Sequence, residues 1–140
     1  MLFDMRVQIY SDGASRGNPG PSAIAFVINT YDGKTLITHH KCVGTKTNNQ
    51  AEYEALISAL RAATELNAQE ISVNMDSELL VKHMSGEYKV RKPELKRLWL
   101  EAAELMKGFP KVTFRHLPRT APNMRVVDKL ANEALDEINK

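Results

Sequence analysis

Residues 45–66, TKTNNQAEYEALISALRAATEL, break the pattern of everything before them. Up to that point the segments are strand-like: RVQIYSD (6–12) alternates, and SAIAFVIN (22–29) and TLITHHKCVG (35–44) read as the second and third strands. From there Leu56, Ala59, Leu60 and Ala63 fall on one stripe at helical spacing. Period 2 sends successive side chains to opposite faces of a strand, whereas period 3.6 gathers them on one face of a helix. The first three segments read as an antiparallel meander, with YDG (31–33) as a hairpin turn in which Gly33 takes a positive φ easily. Thr47 or Asn48 caps the helix that follows. EISVNMD (70–76) is then a short strand reached through a helical crossover, which implies parallel pairing and a right-handed connection.

The remainder continues in the same style. SELLVKHMSG (77–86) reads as a short helix ending near Gly86, and Pro93 suits the first turn of PELKRLWLEAAELMK (93–107). KVTFRHL (111–117) is a fifth strand, and RVVDKLANEALDEI (125–138) is an amphipathic final helix. The order β-β-β-α-β-α-α-β-α makes the fold class α/β: a mixed five-stranded sheet, three antiparallel strands and then parallel ones, flanked by helices. No linker, repeat or low-complexity tract interrupts the chain, so residues 1–140 are expected to form a single domain.

Composition excludes some function classes. No apolar run approaches membrane-spanning length, and MLFDMRVQIY lacks the basic segment and long apolar core of a signal peptide. Cys42 is the only cysteine, which leaves no internal disulfide, removes any cysteine-based zinc site and fits a reducing cytoplasm. The net charge of +2, from 19 basic and 17 acidic residues, points only weakly to a polyanionic partner. YKVRKPELKR (88–97) concentrates five basic residues against one acid, which charge alone reads as a solvated loop and helix start. Nothing resembles a coiled-coil seam, so a monomer is expected.

Four acids carry the chemistry. Asp12 and Asp76 each read as the last residue of a strand. If those strands are parallel neighbours, both carboxylates lie at carboxyl ends, where open α/β sheets place ligands. Glu52 precedes Leu56 by four and Ala59 by seven, on or beside the buried stripe of its helix, while Glu54 falls off it. Asp128 sits near the start of the last helix. Taken singly, Asp12 reads as a turn cap, Asp76 as a helix N-cap or its neighbour, and Asp128 as first-turn charge against the helix dipole. Converging at one end of the sheet, four carboxylates would repel one another unless a hard cation neutralised them. Oxygen-only ligands favour Mg²⁺ or Mn²⁺ over zinc, and such a cluster suits phosphoryl chemistry with two ions roughly 3.5–4 Å apart.

YSDGASRGNPGP around Asp12, TNNQAEYEAL around Glu52, MDSELLVKHMSGEYKV around Asp76 and VDKLANEAL around Asp128 resemble the ribonuclease H type 1 family, from about residue 6 to 136. Four separated blocks in the right order, each with its acid, make a specific match. The resemblance implies a ribonuclease H-like fold and a metal-dependent endoribonuclease. Such an enzyme hydrolyses the RNA strand of an RNA–DNA hybrid to 5′-phosphate and 3′-hydroxyl products. It implies that Asp12 bridges two Mg²⁺ or Mn²⁺ ions, that Glu52 and Asp76 complete the site of one, and that Asp128 helps hold the other. It also implies that the loop with Gly13 and Asn18, together with Asn49 and Gln50, meets the minor groove, where RNA 2′-hydroxyls distinguish RNA from DNA. Asn48 is either such a contact or the helix cap, Asn18 either a contact or a turn former before Pro19, and Ser77 a contact to the backbone near the scissile site.

Two departures stand out. Many bacterial relatives carry a long basic protrusion that grips the DNA strand; here SGEYKVRKPELKR is short, as in compact members. Lys89, Arg91, Lys92 and Lys96 would replace part of that grip, with a shallower salt dependence. Members with a histidine on the loop before the last helix use it in product release or proton transfer. This chain has none between 117 and 128 but carries Arg119, whose role would be electrostatic. Asn123 lies one residue further from Asp128 than the family pattern requires, and His116 reads as a strand end. His83 and Trp99 read as packing or surface residues. Two other readings share the fold: a non-catalytic or weakly active module binding hybrid or double-stranded RNA, which the four intact acids oppose, and an exonuclease or junction resolvase, which NNQAEYEAL opposes.

Overall fold

The structure, a computed structural model, describes residues 5–138; residues 1–4, the start of MLFDMRVQIY, and 139–140 lie outside the described residues. Its strands are β1 (Arg6–Ser15), β2 (Gly20–Thr30), β3 (Thr35–Lys46), β4 (Glu70–Met75) and β5 (Lys111–His116). The helices are α1 (Asn48–Glu65), α2 (Glu78–Met84), α3 (Pro93–Met106) and α4 (Pro122–Glu137). The strands form one sheet in the order β3-β2-β1-β4-β5. β1 pairs antiparallel with β2 and parallel with β4, β2 pairs antiparallel with β3, and β4 pairs parallel with β5. The expected mixed sheet is therefore present, with the crossover through α1 joining its two halves.

Most boundaries move by one to three residues from the sequence reading, Asp76 falling just past the end of β4, and two shifts stand out. β1 does not end at Asp12: Asp12 pairs with Ala25 and the ladder runs on to Ser15 opposite Ser22. The polar run DGAS looks like a loop, yet β2 supplies a partner along its whole length, and ladder hydrogen bonds outweigh weak strand propensity. α4 begins at Pro122 rather than 125, because proline's fixed φ and missing N–H suit the first helical position.

Helices cover both faces of the sheet. On one, α1 buries Tyr53, Leu56, Leu60 and Ala63 against Val7, Ile9, Ile71 and Val73. Each buried Leu or Ile there contributes about 1.5–3 kcal/mol. On the other, Met124, Val127 and Ala131 of α4 pack on Ala25 and Val27, with Tyr10 and Ala14 at the margin. Thr47 closes a capping box on α1, accepting from the Gln50 N–H at 3.1 Å while its own N–H donates to Gln50 Oε1 at 2.9 Å. His83 and Trp99 are structural: Tyr53 Oη lies 2.7 Å from His83 Nδ1, and the Trp99 indole N–H donates to the His83 carbonyl at 3.1 Å. Among the described residues no helix is long and apolar enough to cross a membrane.

Candidate active site

Parallel pairing of β1 with β4 stops at Tyr10 opposite Asn74. Asn74 donates to Gln8 at 3.0 Å, so even-numbered residues of the two strands share a face. Two residues further, the same parity brings Asp12, still held by β2, towards Asp76, which has just left β4. The missing stretch of β4 leaves a notch in the sheet, and the N-terminal end of α1 closes it from the side.

Glycine at position 13 makes that closure possible. A Cβ there would stand 2.3 Å from the Ala51 carbonyl carbon and 2.5 Å from the Glu52 nitrogen, so no other residue lets the helix approach so closely. The Gly13 N–H donates to Glu52 Oε1 at 2.7 Å. One carboxylate oxygen from each of Asp12, Glu52 and Asp76 then lies within 4.8 Å of the others. Asp128, from α4, stands outside this triad but lines the same open cleft of about 410 Å³, with Asn48, Arg119 and Asn132.

The electrostatics of the cleft follow from crowding. Asp12 is buried, and its pKa is pushed up from 3.8 to about 8, by burial first and then by the charges of Asp76 and Asp128. Burial, followed by Asp12 and Asp76, likewise pushes Glu52 well above the usual carboxylate range, against the opposing Gly13 hydrogen bond. Such a cluster must take up protons or a cation. Its all-carboxylate donors fit a hard divalent ion, and Asp12, Glu52 and Asp76 are the residues close enough together to hold one. The Arg119 Nε–H donates to Asp76 Oδ2 at 3.4 Å from a side chain that is 76% exposed, an ion pair worth little in stability but one that leaves its guanidinium at the cleft mouth.

The remaining sequence candidates take structural positions. Asn18 Oδ1 accepts the Asn48 N–H at 3.0 Å, tying the β1–β2 loop to the start of α1, a contact that neither turn formation nor substrate binding had suggested. Gln50 spends its side-chain oxygen on the capping box, and Ser77 is the N-cap of α2, accepting from Leu80 at 3.2 Å. Asp76 is thus the neighbour of the cap, not the cap. Asn49 lines a different cleft, of about 540 Å³, with Tyr88, Lys89, Arg91 and Lys92. His116 and Asn123 are exposed. Sequence reasoning missed Arg16 and Asn132: Asn132 donates to both the backbone and the carboxylate of Asp128, and Arg16 reaches Asn132. Their only sequence signal was Asn132 standing one helical turn after Asp128.

Comparison with known proteins bears on the family and the fold. The protein-family profile described as "Reverse transcriptase-like" matches residues 10–134. Ribonuclease HI of Halobacterium salinarum is 46% identical over 132 residues, 94% of this chain and 65% of that protein. The chain spans 36% of the length of matching mycobacterial proteins. The crystal structure of RNase H1 from Halobacterium salinarum superposes with a TM-score of 0.90 at 43% identity, covering 94% of this chain and 98% of that one. LC11-RNase H1 in complex with an RNA/DNA hybrid gives a TM-score of 0.89 at 42% identity, covering 96% and 99%.

Proposed function

The chain belongs to the ribonuclease H type 1 family, and from that premise we propose that it is a metal-dependent endoribonuclease. It hydrolyses the RNA strand of RNA–DNA hybrids, leaving 5′-phosphate and 3′-hydroxyl ends, with residues 1–140 acting as one catalytic domain. The observation that carries this reading is the convergence of Asp12, Glu52 and Asp76, their ligand atoms within 4.8 Å of one another, at a cleft that Asp12, Glu52 and Asp128 line. Similarity to a protein solved with an RNA/DNA hybrid supports the choice of substrate.

Asp12, Glu52 and Asp76 would hold one Mg²⁺ or Mn²⁺ ion, and Asp12 with Asp128 a second. When bound, the ions supply charge neutralisation and Lewis acidity at phosphate oxygens. The protein's own part is placement. Gly13 fixes the rotamer of Glu52 through its N–H, β2 holds Asp12 rigid beyond the end of β4, and α4 carries Asp128 to the opposite wall. Arg119, at the mouth, attracts and orients a phosphate without exchanging protons. Asn18 and Asn48 shape the rim that faces the minor groove, with Asn49 beside them and with Gln50 and Ser77 contributing where their caps leave a donor free. The enzyme works as a monomer, and its single cysteine suits the cytoplasm.

Three end-labelled duplexes of one sequence test this: RNA–DNA, RNA–RNA and DNA–DNA, each with Mg²⁺, Mn²⁺ or EDTA, beside Asp12→Asn. The expected result is metal-dependent cutting of only the RNA strand of the hybrid, lost in the variant while hybrid binding remains. Added cutting of RNA–RNA would widen the substrate class. Binding without cutting of any duplex would make the protein a binding module instead.

A further inference from the structure

On α4, Asp128, Asn132 and Asp136 stand at successive turns, i, i+4 and i+8, and so share one face. Arg16, at the start of the β1–β2 loop, reaches across to that face. Its Nη2 lies 2.6 Å from Asp136 Oδ1, 3.4 Å from Asn132 Oδ1 and 3.4 Å from the Asn132 carbonyl. Asn132 Nδ2 lies 2.9 Å from the Asp128 carbonyl and 3.4 Å from Asp128 Oδ1.

The amide has only one orientation that satisfies both neighbours. A guanidinium has donors alone, so it must face Asn132 Oδ1; a carboxylate has acceptors alone, so it must face the NH₂. Turning the amide over would set donor against donor and acceptor against acceptor. Asp136 anchors Arg16, Arg16 orients Asn132, and Asn132 presents a donor to Asp128. The order carboxylate, guanidinium, amide, carboxylate allows no other polarity.

We infer that Asn132, oriented by Arg16, is a positioning residue that fixes the Asp128 carboxylate in the acidic cleft and thereby sets the affinity of the divalent ion that Asp128 helps to hold. Asn132 itself lines the cleft, whereas Arg16 and Asp136 stand outside it. The Arg16–Asp136 pair is exposed and contributes little to folding. Its effect is on orientation, which separates this role from a structural one. The same loop carries Asn18, whose Oδ1 holds the start of α1. One short loop therefore ties the helix bearing Asp128 to the helix bearing Glu52.

The inference rests on the proposed function of the cleft, and its test tells the two apart. Mn²⁺ binding would be titrated by calorimetry without nucleic acid for wild type, Asn132→Ala, Arg16→Ala and Arg16→Lys. kcat and KM on the hybrid would be measured over a Mg²⁺ series. Asn132→Ala is expected to weaken the weaker Mn²⁺ step about tenfold, as loss of a group orienting a metal ligand does. It lowers kcat at low Mg²⁺, leaves the KM for hybrid unchanged and recovers at high Mg²⁺. Arg16→Ala shifts both readouts in the same direction by less, and Arg16→Lys restores part of the loss. Because Arg16 is exposed, its variants keep the fold even if Asn132→Ala does not. Unchanged Mn²⁺ binding in Arg16→Ala, with or without an effect of Asn132→Ala, overturns the relay, as does a change confined to KM. A wild-type protein that neither binds Mn²⁺ nor cuts hybrid overturns the reading of the cleft instead.

Discussion

Replacing Asp12 by Asn should make the protein more stable in EDTA, although it removes a residue that the proposed mechanism requires. The argument starts from the carboxyl's pKa, about 8 in the fold against an ordinary 3.8. Between those values the unfolded chain releases the proton and the folded chain keeps it. Stability therefore falls as pH rises through the window from about 4 to 8. At pH 7 the difference spans about three pH units, or about 4 kcal/mol at 1.36 kcal/mol per unit. Asparagine is neutral in both states and nearly isosteric, so it escapes this cost. Because Glu52 and Asp76 still repel, a net gain of about 2–4 kcal/mol is expected, or about 7–14 °C in Tm for a chain of this size. Thermal unfolding followed by circular dichroism in EDTA at pH 4, 5.5, 7 and 8.5 measures it. The gap between variant and wild type should be small at pH 4, widen to pH 8, and close when Mg²⁺ is added to both. A variant no more stable than wild type at pH 7, or a gap that does not grow with pH, would refute the account of the cleft as crowded, desolvated charge.

Three further outcomes follow from the same structure. Gly13→Ala forces a Cβ into the backbone of α1, against Ala51 and Glu52; a loss of about 3 kcal/mol or more in chemical denaturation is expected, since neither backbone can yield. Arg119→Ala should lower kcat more than it raises KM, and an unchanged rate in steady-state assays would make the arginine a bystander at the cleft mouth. Replacing Lys89, Arg91 and Lys92 together by Ala should weaken hybrid binding and flatten its salt dependence, the slope of log K against log salt falling by about 0.9 for each phosphate that is no longer neutralised. An unchanged slope in fluorescence anisotropy titrations would place the hybrid elsewhere than the cleft these residues line with Asn49.

The elements were legible in the sequence wherever periodicity marked burial. The α1 stripe, the β4 alternation and Pro93 at the start of α3 all lie where hydrophobic spacing or proline geometry put them. Reading failed where a segment's structure depends on a distant partner. DGAS has no strand propensity of its own and is a strand only because β2 lies beside it. Asn18 looked like a turn former because its acceptor role is played to the backbone of Asn48, 30 residues away. The acids could be singled out because a carboxylate following a run of apolar strand residues or on an apolar helix face is costly and so conspicuous. Arg16 and Asn132 escaped notice for the opposite reason: a polar residue on an exposed loop and one on a half-polar helix look ordinary, and their partnership spans 116 residues.

The notch left where β4 ends has one more consequence. In a continuous sheet the Gly13 amide would be locked into a ladder with a neighbouring strand and would exchange its hydrogen only when the sheet opened. Here its acceptor is a side chain, Glu52 Oε1. Its hydrogen-exchange rate therefore reports the residence of that carboxylate rather than the opening of the strand, while the neighbouring amides bound into the β1–β2 ladder report global unfolding. A single backbone proton at the edge of the cleft becomes a clock for the side chain beside it.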